Sequence, residues 1–179
     1  MTQVHRIILA FLSLVAAATI CLAQTDKYPF QRGDGSHISE ISWSPLNNLV
    51  LTSSGDDNAL RLWDVKSGAL IWKTDVGFLQ DQLELYSIRH SAWSIDQKFI
   101  VTGTDNGKVQ LWNAANGKLI WNIKAHSDSL SAVAISPDSA MIVSSADLGD
   151  WKSELKVWDL ATGKLIRDLS ANQKDISAI

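Results

Sequence analysis

The chain has 179 residues, of which 46% are hydrophobic and 20% are charged, and its formal net charge is −3 at pH 7. This balance predicts a folded globular chain and excludes extensive intrinsic disorder. The weak negative charge and the lack of basic runs also argue against a nucleic-acid partner, because a phosphate-binding surface needs clustered Lys and Arg.

An apolar segment near the N-terminus is the first element. His5-Arg6 precede 14 uncharged residues from Ile7 to Ile20, and Cys21-Leu22-Ala23 then place small residues at the −3 and −1 positions of a cleavage site. This order is typical of a secretory signal peptide, so we expect residues 1–23 to be removed and the mature protein to be secreted or periplasmic. The alternative is an uncleaved anchor over residues 7–25, the only case in which we expect contact with a membrane.

Repeated units fill the rest of the chain after a lead-in over residues 24–32. The units cover about residues 33–77, 84–124 and 125–170, and residues 171–179 match the start of a fourth. Each complete unit is predicted to form four short strands, because apolar and polar residues alternate between turns that contain Gly, Asn or Asp. Units of this size bury both faces of a sheet only when they stack on one another.

Tryptophans mark the same place in each unit. The third strands end at Trp63, Trp112 and Trp158, which are 49 and then 46 residues apart. In the second unit, Asn106-Gly107 precedes this strand and predicts a type I′ hairpin turn, because both residue types readily take the positive φ that this turn requires.

These units resemble the WD-repeat β-propeller family. Trp63-Asp64 and Trp158-Asp159 match the Trp-Asp ending of the family's repeat, and Ser44-Pro45 and Ser136-Pro137-Asp138 match its first turn. The resemblance implies an all-β fold of β-propeller blades, each with four antiparallel strands. Propellers close with typically 4 to 8 blades, so about three blades imply an incomplete ring. We therefore expect a fragment of a longer propeller, with oligomerisation through the open last blade as the alternative.

The resemblance also implies a buried polar network in each blade, formed by a His at the entry, a Ser or Thr on the second strand, an Asp in the next turn and the Trp. The candidates in the first unit are Asp34, Ser53, Asp57 and Trp63. Those in the second are Glu84, Thr102, Asn106 and Trp112. Those in the third are His126, Ser144, Asp147 or Asp150, and Trp158. No unit has the complete set, so we expect a structural role for these residues and more stability from apolar packing.

The family's usual role implies a rigid platform that binds a protein or peptide at one end of the ring. The matching positions are those before the first strand and in the second turn: His37, Ser87, Ser129, Asp56 and Asp105. An insertion over residues 148–153 adds Asp150, Trp151 and Lys152 as an anchor for a partner. Alternatively, Trp151 packs on its own blade.

Catalytic and metal-binding patterns are not evident. The four histidines are scattered rather than placed at metal-ligand spacing, and the Asp-rich turns lack the spaced oxygen ligands of a Ca²⁺ loop. We therefore expect a non-enzymatic scaffold without a metal or cofactor. The alternative is part of an exported enzyme, because Gly117-Lys118-Leu119-Ile120-Trp121 is similar to the Gly-Lys-x-x-Trp repeats of pyrroloquinoline-quinone dehydrogenases.

Overall fold

The computed structural model describes residues 37–76, 86–149 and 152–170, which form three four-stranded antiparallel sheets. The first sheet, blade 1, contains β1 (Ile38–Trp43), β2 (Leu49–Ser54), β3 (Ala59–Asp64) and β4 (Leu70–Asp75). Blade 2 contains β5 (Ile88–Trp93), β6 (Phe99–Thr104), β7 (Lys108–Asn113) and β8 (Leu119–Lys124). Blade 3 contains β9 (Leu130–Ile135), β10 (Met141–Asp147), β11 (Ser153–Asp159) and β12 (Leu165–Asp168). The structure thus confirms the all-β fold.

Strand order within each blade follows the chain, so that sequential strands pair as neighbours. The two middle strands of blades 1 and 2 are almost entirely buried, whereas β4 and β12 at the outer edge are largely exposed. Burial on both faces explains why β2 and β6 are nearly continuous runs of apolar and small residues.

Two apolar cores hold the blades together. The core between blades 1 and 2 includes Leu51, Leu60 and Leu62 from the first sheet and Ile100 and Trp112 from the second. The core between blades 2 and 3 is built from the equivalent positions one blade later: Val101, Val109, Leu111, Ile142 and Trp158. The opposite faces of one strand therefore serve different interfaces, as stacked repeat units require.

Outer-edge tryptophans make a second connection between blades, here called the indole latch. Trp72 Nε1 on β4 donates a hydrogen bond of 2.9 Å to the carbonyl oxygen of Ala114 in the next blade. Trp121 Nε1 on β8 donates a bond of the same length to the carbonyl oxygen of Leu160. The register places Arg167 at the corresponding position of β12, so blade 3 carries a guanidinium where the other two carry an indole.

Glycines allow the latch turns to form. Gly117, in the turn after β7, has φ +67, and a Cβ on it would lie 2.7 Å from Trp72 Cε3. Only a residue without a side chain takes this left-handed conformation at such a close approach without strain. The pairs Gly117-Lys118 and Gly163-Lys164 therefore lie in turns on which a tryptophan of the preceding blade packs, Trp72 and Trp121 respectively.

The turn at Asn106-Gly107 differs from the sequence prediction. Gly107 has φ +80, but Asn106 is not among the described residues with positive φ, so the turn is not type I′. The loop has three residues, from Asp105 to Gly107, and Gly107 N–H donates to the carbonyl of Thr104 at 3.2 Å. A three-residue loop of this kind needs positive φ only at its last residue, which explains why the two-residue type I′ prediction was wrong.

Several predictions fall outside the described residues. These are the signal peptide at 1–23, the lead-in at 24–32, the anchor alternative at 7–25, and the fourth unit at 171–179. Among the described residues, none belongs to a helix of the length and apolarity needed to span a bilayer.

Candidate functional site

The segments that enter each blade lie beside the turn that joins the blade's second and third strands. We call this surface the end face, formed by residues 37, 55–58, 86–87, 105–107 and 126–129. In blade 1, the backbone N–H and the Nδ1 atom of His37 each lie 2.9 Å from Asp56 Oδ2. The backbone hydrogen bond from His37, followed by the bond from its ring, lowers the pKa of Asp56 below its usual value. The sequence named both residues, and the structure brings them together.

Blade 2 repeats this pairing with a different entry residue. Ser87 N–H donates to Asp105 Oδ1 at 2.9 Å, and Asp105 N–H donates back to the carbonyl of Ser87 at 3.0 Å. The reciprocal bonds fix the entry segment against the turn. Asp56 and Asp105 therefore have the same structural role in successive blades. Each hydrogen-bonds the entry segment of its blade to the turn between the second and third strands.

Blade 3 departs from this pattern. Ser129 N–H donates to the neighbouring Asp128 Oδ1 at 2.7 Å. The turn after β10 is closed by a bond of 2.9 Å from Leu148 N–H to the carbonyl of Lys152, which is exposed. The other two members of the proposed anchor, Asp150 and Trp151, lie outside the described residues.

The end face is continuous from blade to blade. A Cβ on Gly107 would lie 2.3 Å from the carbonyl oxygen of His126 and 2.7 Å from that of Asp128, so the turn of blade 2 packs directly on the entry of blade 3. Gly55 lies in the same way against the Ser87 hydroxyl of blade 2. The sequence interpretation treated these glycines only as turn formers. Gly55 begins the first turn and Gly107 ends the second, so no shared sequence position could have identified them as contact points.

The polar set of blade 1 corrects the sequence assignment. Trp63 Nε1 donates to Thr52 Oγ1 at 3.0 Å, whereas the predicted partner Ser53 faces the other way and lies 3.1 Å from the hydroxyl of Ser39. Asp57 binds the buried guanidinium of Arg61 through both carboxylate oxygens. Although partial burial alone raises the pKa of Asp57, its hydrogen bond with Arg61 and the charge of Arg61 bring that pKa below its usual value.

Blade 2 contains an uncharged chain of hydrogen bonds around its tryptophan. Trp112 Nε1 donates to Thr102 Oγ1 at 2.9 Å, and this hydroxyl donates to Gln110 Oε1 at 3.2 Å. Gln110 Nε2 donates to the Tyr86 hydroxyl at 2.8 Å, which donates to the carbonyl of Val76 at 2.6 Å. Of the members expected from the resemblance, Thr102 and Trp112 belong to this chain. Asn106 instead bonds Thr104 Oγ1 in its own turn, at 2.6 Å.

Blade 3 holds a complete network, contrary to the sequence prediction. Ser144 Oγ lies 2.7 Å from His126 Nε2 and accepts a bond of 2.8 Å from Trp158 Nε1. The acid that contacts His126 is Glu154 rather than Asp147, with its Oε2 2.7 Å from His126 Nδ1, and the other candidate, Asp150, lies outside the described residues. Since an ionised carboxylate only accepts, Nδ1 carries the proton of the neutral ring and Nε2 accepts from the Ser144 hydroxyl. Burial lowers the pKa of His126 below its usual value, although the bond with Glu154 acts in the opposite direction.

The order Ser144, His126 and Glu154 resembles the nucleophile, base and acid of an acyl-transfer enzyme. However, Ser144 is fully buried, and its oxygen already accepts the indole hydrogen of Trp158. A nucleophile must approach a substrate carbon, so this arrangement supports strand pairing and not catalysis. No group of three or more potential metal ligands is found within the part of the chain that the structure describes.

Comparisons with protein families give two matches. The family model described as "Outer membrane protein assembly factor BamB" matches residues 56–166, and the model described as "WD domain, G-beta repeat" matches residues 28–64. WD repeat-containing protein AAC3 of Dictyostelium discoideum is 40% identical over 73 residues, which are 41% of this chain and 14% of that protein.

Two solved structures share the fold. The WD40 repeats of RRP9 and the protein U3-55K each superimpose with a TM-score of 0.69 at 20% sequence identity. The match covers 82% of this chain but only 42% and 43% of those chains, so this chain spans less than half their length. At this identity the likeness establishes the blade architecture alone.

Proposed function

We propose that this chain, which belongs to the WD-repeat β-propeller proteins, is a non-enzymatic scaffold that binds a protein or peptide partner on its end face. Over residues 56–166 the chain also belongs to the repeat family described as outer membrane protein assembly factor BamB. The supporting observation is the pairing of each entry segment with its own turn in two successive blades. Binding residues are effective when a rigid framework holds them, because little conformational entropy is then lost on association.

The side chains available to a partner on this surface are those that the pairing leaves exposed. His37 is 94% exposed at its side chain and Asp56 is 54% exposed, while both remain fixed by their mutual bonds. Lys152 adds an exposed cation beyond β10. We propose that these residues, with Ser87, Asp105 and Ser129, contact the partner, and that Asp150 and Trp151 extend the same surface.

Selection of peptides from a displayed library on the intact chain tests this proposal. Selected peptides should lose at least about tenfold in affinity for the chain with His37→Ala and Lys152→Ala, since loss of one central contact is worth about 1.4 kcal/mol or more. The matched control is Lys118→Ala with Asp96→Ala, on the turns at the opposite ends of the strands. Peptides that bind both variants equally well would contradict the proposal.

Export is the second part of the proposed function. The signal-peptide pattern of residues 1–23 supports it, as does the outer membrane role in the description of the matched family. Expression in a bacterium followed by N-terminal sequencing should give a mature protein that begins at Gln24 in the periplasm or the medium. A chain that retains Met1 and sediments with membranes would instead support the anchor at residues 7–25.

A role in quinone-dependent oxidation is the alternative function, favoured by the Gly-Lys-x-x-Trp sequence that forms the indole latch. In this chain, Gly117 and Trp121 are both used for packing between blades, which explains the sequence without a cofactor. Titration of the chain with pyrroloquinoline quinone, followed by absorbance, separates the two functions. Saturable binding together with dye-linked oxidation of an alcohol would favour the enzyme.

A further inference from the structure

The first strand of each blade lies at its inner edge, where β5 packs between β1 and β9, and carries a β-bulge near its start. The bulge residues, which have no partner in the register of the second strand, are Ser39 in β1, Arg89 in β5 and Ser131 in β9. Bulges are frequent next to binding sites, because the extra residue re-aims a side chain. Arg89 lies two residues after Ser87, so the bulge of blade 2 lies beside the end face.

The bulge of blade 2 differs chemically from the other two. In blades 1 and 3 the bulge residue is a serine whose hydroxyl bonds a serine hydroxyl of the second strand, Ser39 with Ser53 at 3.1 Å and Ser131 with Ser145 at 2.8 Å. In blade 2 the register places Gly103 at the position of that second serine. A Cβ on Gly103 would lie 2.8 Å from Leu130 Cδ2, so the packing of blade 3 leaves no room for a side chain there. Arg89 thus replaces serine in the blade where the internal partner is missing.

The charge of Arg89 is not neutralised within the described part of the chain. Arg89 is exposed, although blade 2 lies between blades 1 and 3. It forms no ion pair with any carboxylate of the residues that the structure describes. The acid on the neighbouring inner strand is Glu40, whose Oε1 accepts the backbone N–H and the hydroxyl hydrogen of Ser91 at 3.2 and 3.1 Å. The guanidinium of Arg89 is therefore available to a ligand, with N–H donors in a fixed fork.

We propose that Arg89 binds a carboxylate of the partner, namely an Asp or Glu side chain of a protein or peptide that lies on the end face. This inference rests on the proposed function and names the charge that the partner carries at this point. A guanidinium matches a carboxylate through two parallel N–H···O bonds, which give the contact both affinity and orientation. The end face also carries Asp56, Asp105 and Asp128, which repel a polyanion such as a nucleic acid. A single acidic residue among uncharged or basic ones is therefore the expected ligand.

Peptides selected from a displayed library on the intact chain supply the probe, and isothermal titration calorimetry gives their affinity for each full-length variant. Arg89→Glu and Arg89→Ser should each weaken binding at least about tenfold, because a charge-assisted hydrogen bond is lost. Serine is the residue of blades 1 and 3 at this position, so the second variant carries a side chain that the bulge accommodates. Arg167→Glu is the matched control and should leave the affinity unchanged, because Arg167 is an exposed arginine on the outer strand of blade 3.

Charge exchange between the chain and the peptide identifies the carboxylate. Replacement of one acidic residue of the selected peptide by Gln should weaken binding to the intact chain as much as Arg89→Ser does. The same replacement should have little further effect on the Arg89→Ser chain. Replacement by Lys should make the peptide bind the Arg89→Glu chain at least about tenfold more tightly than the original peptide does.

Other outcomes would contradict this inference and separate it from the proposed function. Peptides that lose affinity with His37→Ala and Lys152→Ala, but bind Arg89→Ser as tightly as the intact chain, would leave the proposed function standing and overturn the role of Arg89. An equal loss with Arg167→Glu would show that net charge alone is responsible. Tight binding of a short single-stranded DNA that is lost with Arg89→Ser would identify a polyanion as the ligand instead. If no peptide were selected, the proposed function and this inference would fail together.

Discussion

The indole nitrogen of Trp72 and the carbonyl oxygen of Ala114 lie 2.9 Å apart across the boundary between blades 1 and 2. The two residues are 42 positions apart in the sequence, close to one repeat length. The blades are thus joined by a directional bond at the outer edge as well as by an apolar core. Substitution of Trp72 therefore tests how much this bond contributes to the stability of the contact between blades.

Trp72→Phe should lower the free energy of unfolding by about 1 kcal/mol, because it removes the indole hydrogen bond but keeps most of the aromatic surface. Urea denaturation followed by circular dichroism measures the effect. The control is Ile71→Val on the same strand, since Ile71 is 46% exposed and its change should cost less than about 0.5 kcal/mol. Equal effects of the two substitutions would mean that the latch does not stabilise the fold.

Gly117→Ala should be more destabilising than Gly149→Ala, although both glycines have positive φ, at +67 and +70. A Cβ on Gly117 would lie 2.7 Å from Thr74 Oγ1 and from Trp72 Cε3, whereas a Cβ on Gly149 would have no atom within 4 Å. We expect about 1 kcal/mol from backbone strain at Gly149 and about 1–3 kcal/mol more at Gly117 from the clash. Thermal unfolding of the two variants gives the comparison, and similar values would contradict close packing at the latch turn.

Thr102→Val should cost about 1–3 kcal/mol, because it removes the acceptor of the Trp112 indole within a fully buried site while it keeps the side-chain shape. Thr102→Ser retains the hydroxyl and is the matched control, with the loss of one methyl group as its main effect. Chemical denaturation measures both. If Ser and Val were equally destabilising, the hydroxyl would not be the stabilising group.

Stability should decrease as the pH falls below about 6.5, because of His126. Burial lowers the pKa of this residue in the folded state, so below the unfolded value the unfolded chain binds more protons than the folded one. The slope is at most about 1.4 kcal/mol per pH unit for one group, and it ends at the folded pKa. Denaturation between pH 7.5 and 5.5 should show this dependence, and His126→Gln should flatten it. Glu154, whose pKa is lowered, acts separately below its usual value of 4.5.

The sequence predicted the arrangement of strands well because each strand is encoded locally. Alternating apolar residues and turn formers defined four strands in each unit, and the Trp-Asp endings fixed the third. The register within blade 1 could not be obtained in this way. Its loop between β2 and β3 has four residues where blade 2 has three. Thr102 lies ten residues before Trp112, and the same spacing before Trp63 leads to Ser53, one residue from the true partner Thr52. A shift of one residue moves a side chain to the other face.

The members of the buried polar sets were harder to predict because they come from distant parts of the chain. Glu154 lies 28 residues from His126, and Tyr86 lies 24 residues from Gln110. The family pattern places the acid in a turn, whereas here it lies on β11 beside Lys156. Only the folded arrangement shows that a tyrosine and a glutamate fill positions that the pattern assigns to other residue types.

The chemical differences between the three polar sets have a consequence for folding. Repeat proteins are prone to exchange equivalent strands between units during folding, because their apolar patterns are nearly the same. Arg61 and Lys156 occupy the same register position on β3 and β11, but one faces Asp57 and the other Glu154. A β11 strand inserted into another blade would keep Glu154 beside Lys156 but would separate Glu154 from His126, and the loss of this charged hydrogen bond would cost about 1.5–3 kcal/mol. The differences between the three polar sets thus favour pairing of each strand within its own blade and disfavour conformers in which equivalent strands are exchanged.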